Sequence, residues 1–437
     1  MPSYRLRSIF VTSLSIAIMG VAFATNPASA AEDGLYEFTP ADVGFLSQFS
    51  LSSLGPLPAA PDNRWADDKT VAQLGKTLFF DNRLSQNGEV SCSHCHQPDR
   101  YFTDGLPRSR GLDETRRGAP SLIGAAYSPW QFWDGRKDSL WSQALGPMEH
   151  PDEQGISRAE LAKLVTTLYA GEYQRLFAAT DGAAVDWNQV ALPASPLGTG
   201  QSLANWQALS VEQQDGINRI FTNMGKALMA YQRQLTLEPA PFDDFVAALK
   251  VNNSALAKSS LSPSQVRGLR LFMGQANCAS CHNGVFFTNH EFHNIGAPES
   301  DIENIDFGRF EGVTKLREDE FTCLSSYSDA DASQCKEMRF LKVQGPELIG
   351  AIKTPTLRNV AATAPYMQAG QFATLREVLN HYNKPTPPYY DRKQHPTRPH
   401  FDIVPLNLQE ADLQDIEAFL ESLTSPLPED NPWWPNS

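Results

Sequence analysis

The chain has 437 residues, of which 36 are Lys or Arg and 50 are Asp or Glu, for a net charge of −14. A surface of that sign repels polyanions and makes DNA or RNA a poor partner, whereas a protein with a basic patch would suit it. Six cysteines and nine histidines are few for this length, so their positions carry information.

Residues 1–30 have the pattern of a secretory signal peptide: Arg5 and Arg7, an uncharged apolar run from Ile9 to Ala24, and Ala28-Ser29-Ala30 as a small-residue cleavage site. The run is shorter than the roughly 20 residues of a spanning helix. The expectation is export to the periplasm with cleavage near Ala30, which moves the net charge from −14 to −16. No later stretch is long and apolar enough to span a bilayer, so the mature protein is expected to have no membrane span.

Residues 31–64 read as an N-terminal extension. KTVAQLGKTLFFDNRLS has helical apolar spacing and leads to SCSHCH, with Cys92, Cys95 and His96. ISRAELAKLVTTLYAGEYQRLFAA is a further helical pattern. Residues 181–210, rich in Gly, Ala, Pro and Ser, suggest a linker or insertion. VEQQDGINRIFTNMGKALMAYQRQLTL is helical again, and SPSQVRGLRLFMGQA leads to NCASCH, with Cys278, Cys281 and His282. Cys323 and Cys335 stand 12 residues apart in a polar segment. In an oxidising compartment they are expected to form a disulfide, with free thiols as the alternative; the cross-link would stabilise by about 3 kcal/mol. A proline-rich loop, KPTPPYYDRKQHPTRPH, covers 384–400, and LNLQEADLQDIEAFLESLT is a last amphipathic helix. Trp433 and Trp434, in NPWWPNS, read as an exposed tail, or alternatively as a surface electron relay. No run of alternating strands appears. The fold class is therefore mainly α, with two cytochrome c-like domains packed face to face: 65–185 around the first motif and 261–437 around the second. Residues 186–211 would link them, followed by an interdomain helical region over 212–260.

Two Cys-x-x-Cys-His patterns in a chain this poor in Cys and His point to chemistry that uses every residue of the pattern. A zinc site would pair the two dithiols and would not need a histidine directly after each. A thioredoxin-type dithiol would sit in a βαβ unit, which is absent. Covalent haem c attachment accounts for all five positions: two thiols add to the haem vinyl groups and the next imidazole ligates the iron. Two haem c groups are expected, with His96 and His282 as proximal ligands. His94 reads as a solvent-facing spacer, and Phe79, Phe80 and Phe272 as core packing.

The ordered set LGKTLFFDNRLSQNGEVSCSHCH, FTDG, APSL, FWDGR, SQALGPMEHPDEQG, NCASCHNGVFFTNHEFHNIG and IKTPTLRNVAATAPYMQAGQFATLREVLNHYN resembles the bacterial dihaem cytochrome c peroxidase superfamily over about residues 65–425. One branch reduces hydrogen peroxide with electrons from small redox proteins. The other, MauG-like branch uses peroxide to oxidise residues of a partner protein. Cleaving the O–O bond requires an open iron site and a group that moves a proton between the two oxygens. By resemblance, Gln143, Pro147 and Glu153 fall at the distal-pocket positions, with Glu153 as acid/base and Gln143 orienting the oxygen. Sequence alone does not rank Glu149 against Glu153. Trp133, of FWDGR, matches the tryptophan between the two haems and would carry electrons between them. Trp130 and Trp141 read as packing.

Two departures separate the branches. Many conventional members place an inhibitory histidine after the first motif, but none occurs between His96 and His150. His150 itself belongs to the Gln/Glu segment. Conventional members ligate the second iron with a methionine, whose position here is Tyr382, and no methionine follows Met367. Neighbouring His381 is the alternative ligand. A tyrosinate donates more charge than a thioether and lowers the iron potential. The resemblance therefore implies an open first haem, a His/Tyr-ligated second haem, a bis-Fe(IV)-like store of oxidising equivalents, and an aromatic residue of a secreted protein as substrate. The alternative is a conventional peroxidase with a small redox-protein donor. The superfamily also holds calcium between its domains. Thr363 and Pro365 match its backbone ligands, but Gly118 stands where an asparagine is usual, and Gln368 replaces the usual histidine of that turn.

Overall fold

The computed structural model describes residues 34–177 and 185–435. The expected signal peptide, residues 1–30, lies outside the described residues. Helices dominate, and the one two-stranded sheet among the described residues pairs β1 (Phe292–His293) antiparallel with β2 (Ile352–Lys353).

Each half is built on a crossing of two helices. In the first, α1 (Lys69–Phe79) starts on Asp68, whose carboxylate accepts from the Thr70 and Val71 amides. Its apolar face buries Val71, Leu74, Leu78 and Phe79. It packs on α4 (Val211–Gln232), which starts on a Ser210/Gln213 capping box. Between them in the chain lie α2 (Leu140–Glu149) and α3 (Arg158–Leu168), both also packed on α4. In the second half, after α5 (Pro241–Lys250), helix α6 (Pro263–Met273) crosses α8 (Glu410–Glu421), with α7 (Leu375–Asn383) alongside. The crossings match residue for residue. A Cβ at Gly75 of α1 would collide with the Ala227 carbonyl of α4, and one at Gly268 of α6 with the Asp415 carbonyl of α8. Four residues on from each glycine, Phe79 and Phe272 point into the two cores. Gly75→Ala is expected to force α1 and α4 apart and cost about 1–3 kcal/mol, read as a lowered denaturation midpoint with an unchanged haem content.

Several segments lie closer to the cores than the sequence suggested. Helix α1 stops at Phe79, and Asp81 then caps a separate short turn by accepting from Arg83 N. Within 185–211, the short helix Gly200–Gln207 forms, Trp206 and Ala194 are buried, and Ser195 Oγ donates to Glu149 Oε1 at 2.5 Å. Helix α4, expected between the domains, has its packing contacts in the first half.

The ends of the chain are exchanged. Tyr36, Leu46 and Phe49 belong to the core of the second half, where Tyr36 Oη donates to Leu261 O at 2.7 Å. Trp434 belongs to the core of the first half. This corrects the expectation of an exposed tail: Trp434 is 5% exposed, stacks edge-on to Phe102 with centroids 4.8 Å apart, and donates Nε1–H to Pro98 O at 3.0 Å. An indole that can bury its ring and satisfy its one N–H gains more from that seat than from solvent.

Cys323 and Cys335 are disulfide-bonded. Their loop also reaches back to the first half. Phe321 packs on Trp141 and Phe221, its carbonyl accepts from Ser142 Oγ, and Glu320 pairs with the buried Arg158.

Candidate active site between the two haem motifs

The two attachment motifs adopt one local design. His96 Nδ1 lies 3.0 Å from Phe102 O, and His282 Nδ1 lies 2.9 Å from Phe287 O. A carbonyl can only accept, so Nδ1 carries the proton and Nε2 keeps its lone pair for a metal. Phe102 and Phe287 both have positive φ, 58° and 51°, which turns each carbonyl back onto its histidine. Each ring packs on the phenylalanine of its helix: Phe102 on Phe79 at 6.2 Å and Phe287 on Phe272 at 6.0 Å. Burial lowers both imidazoles, His282 to about 4, so both are neutral as ligation requires. Burial pushes the Cys92, Cys95 and Cys278 thiols up to about 12. His94 is exposed.

A cavity of about 600 Å³ opens beside His96, within the range that takes a cofactor. It is lined from the first half by Cys95, His96, Trp133, Gln143, Pro147 and Glu153, and from the second by His290, Lys353, Thr363 and Pro365. Cys92 lines an adjoining recess with Gln143, Pro147 and Glu153. The donor set fits haem c: two thiols, a neutral imidazole, and cationic walls for propionates. Burial alone lowers the Lys353 ammonium to about 8, its Nζ donates to Ser128 Oγ at 3.2 Å, and His290 Nδ1 is buried without a partner. Sequence reasoning passed over Lys353 and His290. Both stand in quoted motifs, Lys353 in IKTPTLRN and His290 in NCASCHNGVFFTNHEFHNIG. At the expected calcium position Gly118 offers no side-chain oxygen, and its carbonyl accepts the Trp133 indole.

Helix α2 supplies the wall of the cavity. Gln143 and Pro147 are four residues apart and share a face. Pro147 has no N–H, so the α2 ladder is interrupted where the wall forms. The turn after α2 brings Glu153 under Pro147, with Gln154 N donating to Pro147 O at 3.1 Å. Burial raises the Glu153 carboxyl, against the pull of His150 and Arg136. His150 Nδ1 sits 3.9 Å from Glu153 Oε1 and accepts from Asp152 N at 3.3 Å. Glu149 faces the other way. It accepts from Arg158 Nη2 at 2.8 Å and from Ser195 Oγ, and it is absent from the cavity wall. The two carboxylates are thus ranked by their surroundings: Glu149 holds a buried ion pair and Glu153 faces the cavity.

Trp133 stands on the joint between the halves. Its Nε1–H donates to Gly118 O at 2.9 Å and its carbonyl accepts from Lys353 N of β2 at 2.8 Å. Asp134 fixes the turn. Burial pushes its carboxyl up, but Arg136 and Arg117 outweigh that and hold it at about 2. Arg117 also reaches Asp306 Oδ2 at 2.9 Å, and Arg309 donates to the carbonyls of Asp134 and Gly135. Arg309 stacks on Trp130 at 4.3 Å, and Trp141 donates to Asp62 Oδ2 at 2.7 Å, so both indoles serve packing.

Cys278, Cys281, His282 and Tyr382 lie outside the lining of this cavity, with Tyr382 near the two cysteines. Tyr382, on α7, is half-buried; desolvation raises its hydroxyl far above the usual range, and the Cys278 and Cys281 sulfurs add to the rise. Its neighbour His381 is turned away, with Nε2 2.8 Å from Ile295 O and its ring against Phe372.

A family model described as di-haem cytochrome c peroxidase matches residues 69–250. The chain is 30% identical to the cytochrome-c peroxidase IdrP1 of Denitromonas iodatirespirans, over 97% of each chain. It is 32% identical to the methylamine utilization protein MauG of Paracoccus denitrificans, over 86% of this chain and 95% of that one. A crystal structure of a MauG-like protein associated with microbial copper homeostasis superposes with a TM-score of 0.58 at 25% identity, covering 87% of this chain and 98% of that one. With two attachment motifs of one design and a cavity beside the first, this chain belongs to the di-haem cytochrome c peroxidase family.

Proposed function

We propose that the protein is a hydrogen peroxide-dependent oxidase of aromatic residues on a secreted partner protein, the MauG-like rather than the conventional activity of its family. Tyr382 carries the reading: its hydroxyl lies near Cys278 and Cys281, while His381 is committed to Ile295 O. A tyrosinate there makes the second site a poor acceptor for electrons from a carrier and a good store for an oxidising equivalent.

Haem bound at His96 supplies the two-electron reduction of peroxide. Glu153 takes the proton from the near oxygen and returns it to the far one, and burial keeps its basicity high enough for the task. The Gln143 amide orients the peroxide. Pro147 leaves no N–H to bind water at the same wall. Trp133 links the two sites, with its N–H committed to Gly118 O and therefore not lost on oxidation. A periplasmic location and a protein substrate follow from this reading together with the expected signal peptide.

The test is a stopped-flow absorption spectrum of the fully oxidised protein with one equivalent of peroxide and no reductant. The expected result is a fast Soret change, a near-infrared band and slow decay. A protein inert until one haem is reduced would be a conventional, reductively activated peroxidase.

A further inference from the structure

We propose that His150 is the proton inlet of the first site: its half-exposed imidazole takes protons from solvent and hands them to Glu153, one for each electron that the completed reaction consumes. The proposal rests on Glu153 as the acid/base of the peroxide reaction and not on the identity of the protein substrate.

The balance of the reaction requires such a group. Peroxide, two electrons and two protons give two waters. Glu153 moves the proton that peroxide itself brings, but the two further protons must enter from outside. An aromatic residue oxidised at a distance supplies electrons to the site and releases its own protons at the partner's surface. The two protons therefore come from solvent. On the cavity wall, Gln143 is an amide and Pro147 has no N–H, so neither ionises to pass a proton on.

His150 stands where the relay needs it. It caps the C-terminus of α2 and lines the cavity together with Glu153. The turn that follows folds Glu153 back onto it, with Glu153 N donating to His150 O at 3.0 Å. His150 Nδ1 then lies 3.9 Å from Glu153 Oε1, about 1 Å beyond hydrogen-bond distance, a gap that a small side-chain rotation closes. Among the described residues the Glu153 carboxylate has no hydrogen bond and no other ion-pair neighbour. His150 is the more open of the two, with 47% of its side chain exposed against 25%. Asp152 N donates to His150 Nδ1 at 3.3 Å, so that nitrogen carries a lone pair and is the one a solvent proton occupies. The charged groups around the imidazole are few. Asp152 Oδ2 lies 3.9 Å from the same nitrogen, and Arg136 lines the same cavity. The neighbouring loop packs on this turn through Leu112 N and Asp113 N, which donate to Glu153 O and Asp152 O at 3.0 Å each. Its Asp113 carboxylate is taken up by Glu114 N, and its Arg110 pairs with Glu114.

Each passage is balanced. A solvent proton adds to His150 Nδ1. The Nδ1–H bond breaks as an O–H bond forms at Glu153 Oε1, and the proton leaves Glu153 for the oxygen that becomes water. Nδ1 regains its lone pair and accepts from Asp152 N again.

The experiment oxidises the holoprotein with one equivalent of peroxide and then mixes it with ferrocyanide, which gives electrons without protons. Stopped-flow absorption follows the return of the Soret band, and a pH-indicator dye follows proton uptake. Wild type should take up two protons per peroxide at a rate independent of phosphate concentration. His150→Asn should slow the return at least about tenfold, the low end of what a positioned acid/base group gives. Its rate should rise with phosphate at constant ionic strength, because dihydrogen phosphate replaces the imidazole as proton source; a merely structural defect would not be repaired in this way. A variant that returns at the wild-type rate, or one slowed but not accelerated by phosphate, overturns the inlet and leaves the peroxide reaction standing. A variant that no longer reacts with peroxide places His150 in the first proton transfer and also overturns the inlet. Wild type that shows no Soret change with peroxide overturns the reading of Glu153 on which the proposal rests.

Discussion

Glu153→Gln is expected to slow the reaction of the oxidised protein with peroxide by about 10²–10⁴, the usual contribution of a positioned acid/base group. The amide keeps the shape of the side chain and removes its proton transfer. The pH dependence should change with it. Burial raises the Glu153 carboxyl, so its basic form is lost as pH falls through a value above the ordinary carboxylate range. The wild-type rate should therefore drop on the acid side at a higher pH than an exposed glutamate would give, and that limb should be missing in Glu153→Gln. A rate within a factor of about three of wild type would move the proton transfer to another group. Glu149→Gln makes the contrast. It weakens one of the two carboxylate pairs of Arg158, itself 1% exposed. Glu320 remains as its other carboxylate partner, so the expected loss is about 1–3 kcal/mol of stability, read by denaturation, with the peroxide rate of the folded protein retained.

Tyr382→Met is expected to raise the reduction potential of the second site by a few tenths of a volt, since thioether replaces tyrosinate. The oxidised state formed with peroxide should then decay much faster, while its rate of formation, set at the Glu153 wall, is retained. Spectroelectrochemistry reads the first effect and stopped-flow absorption the second. An unchanged potential would exclude Tyr382 as a ligand, and His381→Ala would then be the variant to measure. That histidine is expected to act only through Ile295 O, which its Nε2 contacts at 2.8 Å.

Much of the site was legible because the chemistry is local in the chain. Haem attachment needs two thiols and an imidazole within five residues, so Cys92, Cys95 and His96, and Cys278, Cys281 and His282, stand out without any fold. Gln143 and Pro147 lie one helical turn apart, and Glu153 follows in the next turn, so family spacing located all three. What could not be read depends on partners far away in sequence. Glu149 is removed from the cavity by Arg158 and Ser195, and only the folded chain brings those together. Trp434 sits in a short run of Pro, Asn and Trp with no periodicity, and the carbonyl that holds its indole is 336 residues away. Helix α1 was expected to run on past Phe79; the apolar pattern continues through Phe80 and Leu84, but the Asp81 cap starts a new turn. The matching of Gly75 with Gly268 becomes visible only when both helix crossings are seen.

The exchanged ends bear on how the protein is made. Domains usually fold in order from the N-terminus as the chain is made. Here the segment around Tyr36 and Phe49 has to wait for the helices of the second half, with Leu261 lying 225 residues further on. The first attachment motif waits longer still, because the loop behind His96 is closed only when Trp434 arrives. The loop that orients His96 is thus completed by a residue 336 positions further along the chain than Pro98. Truncation before residue 434 should yield a protein that carries haem yet leaves its first site loosely held, a defect of assembly that no inspection of the attachment motif would reveal.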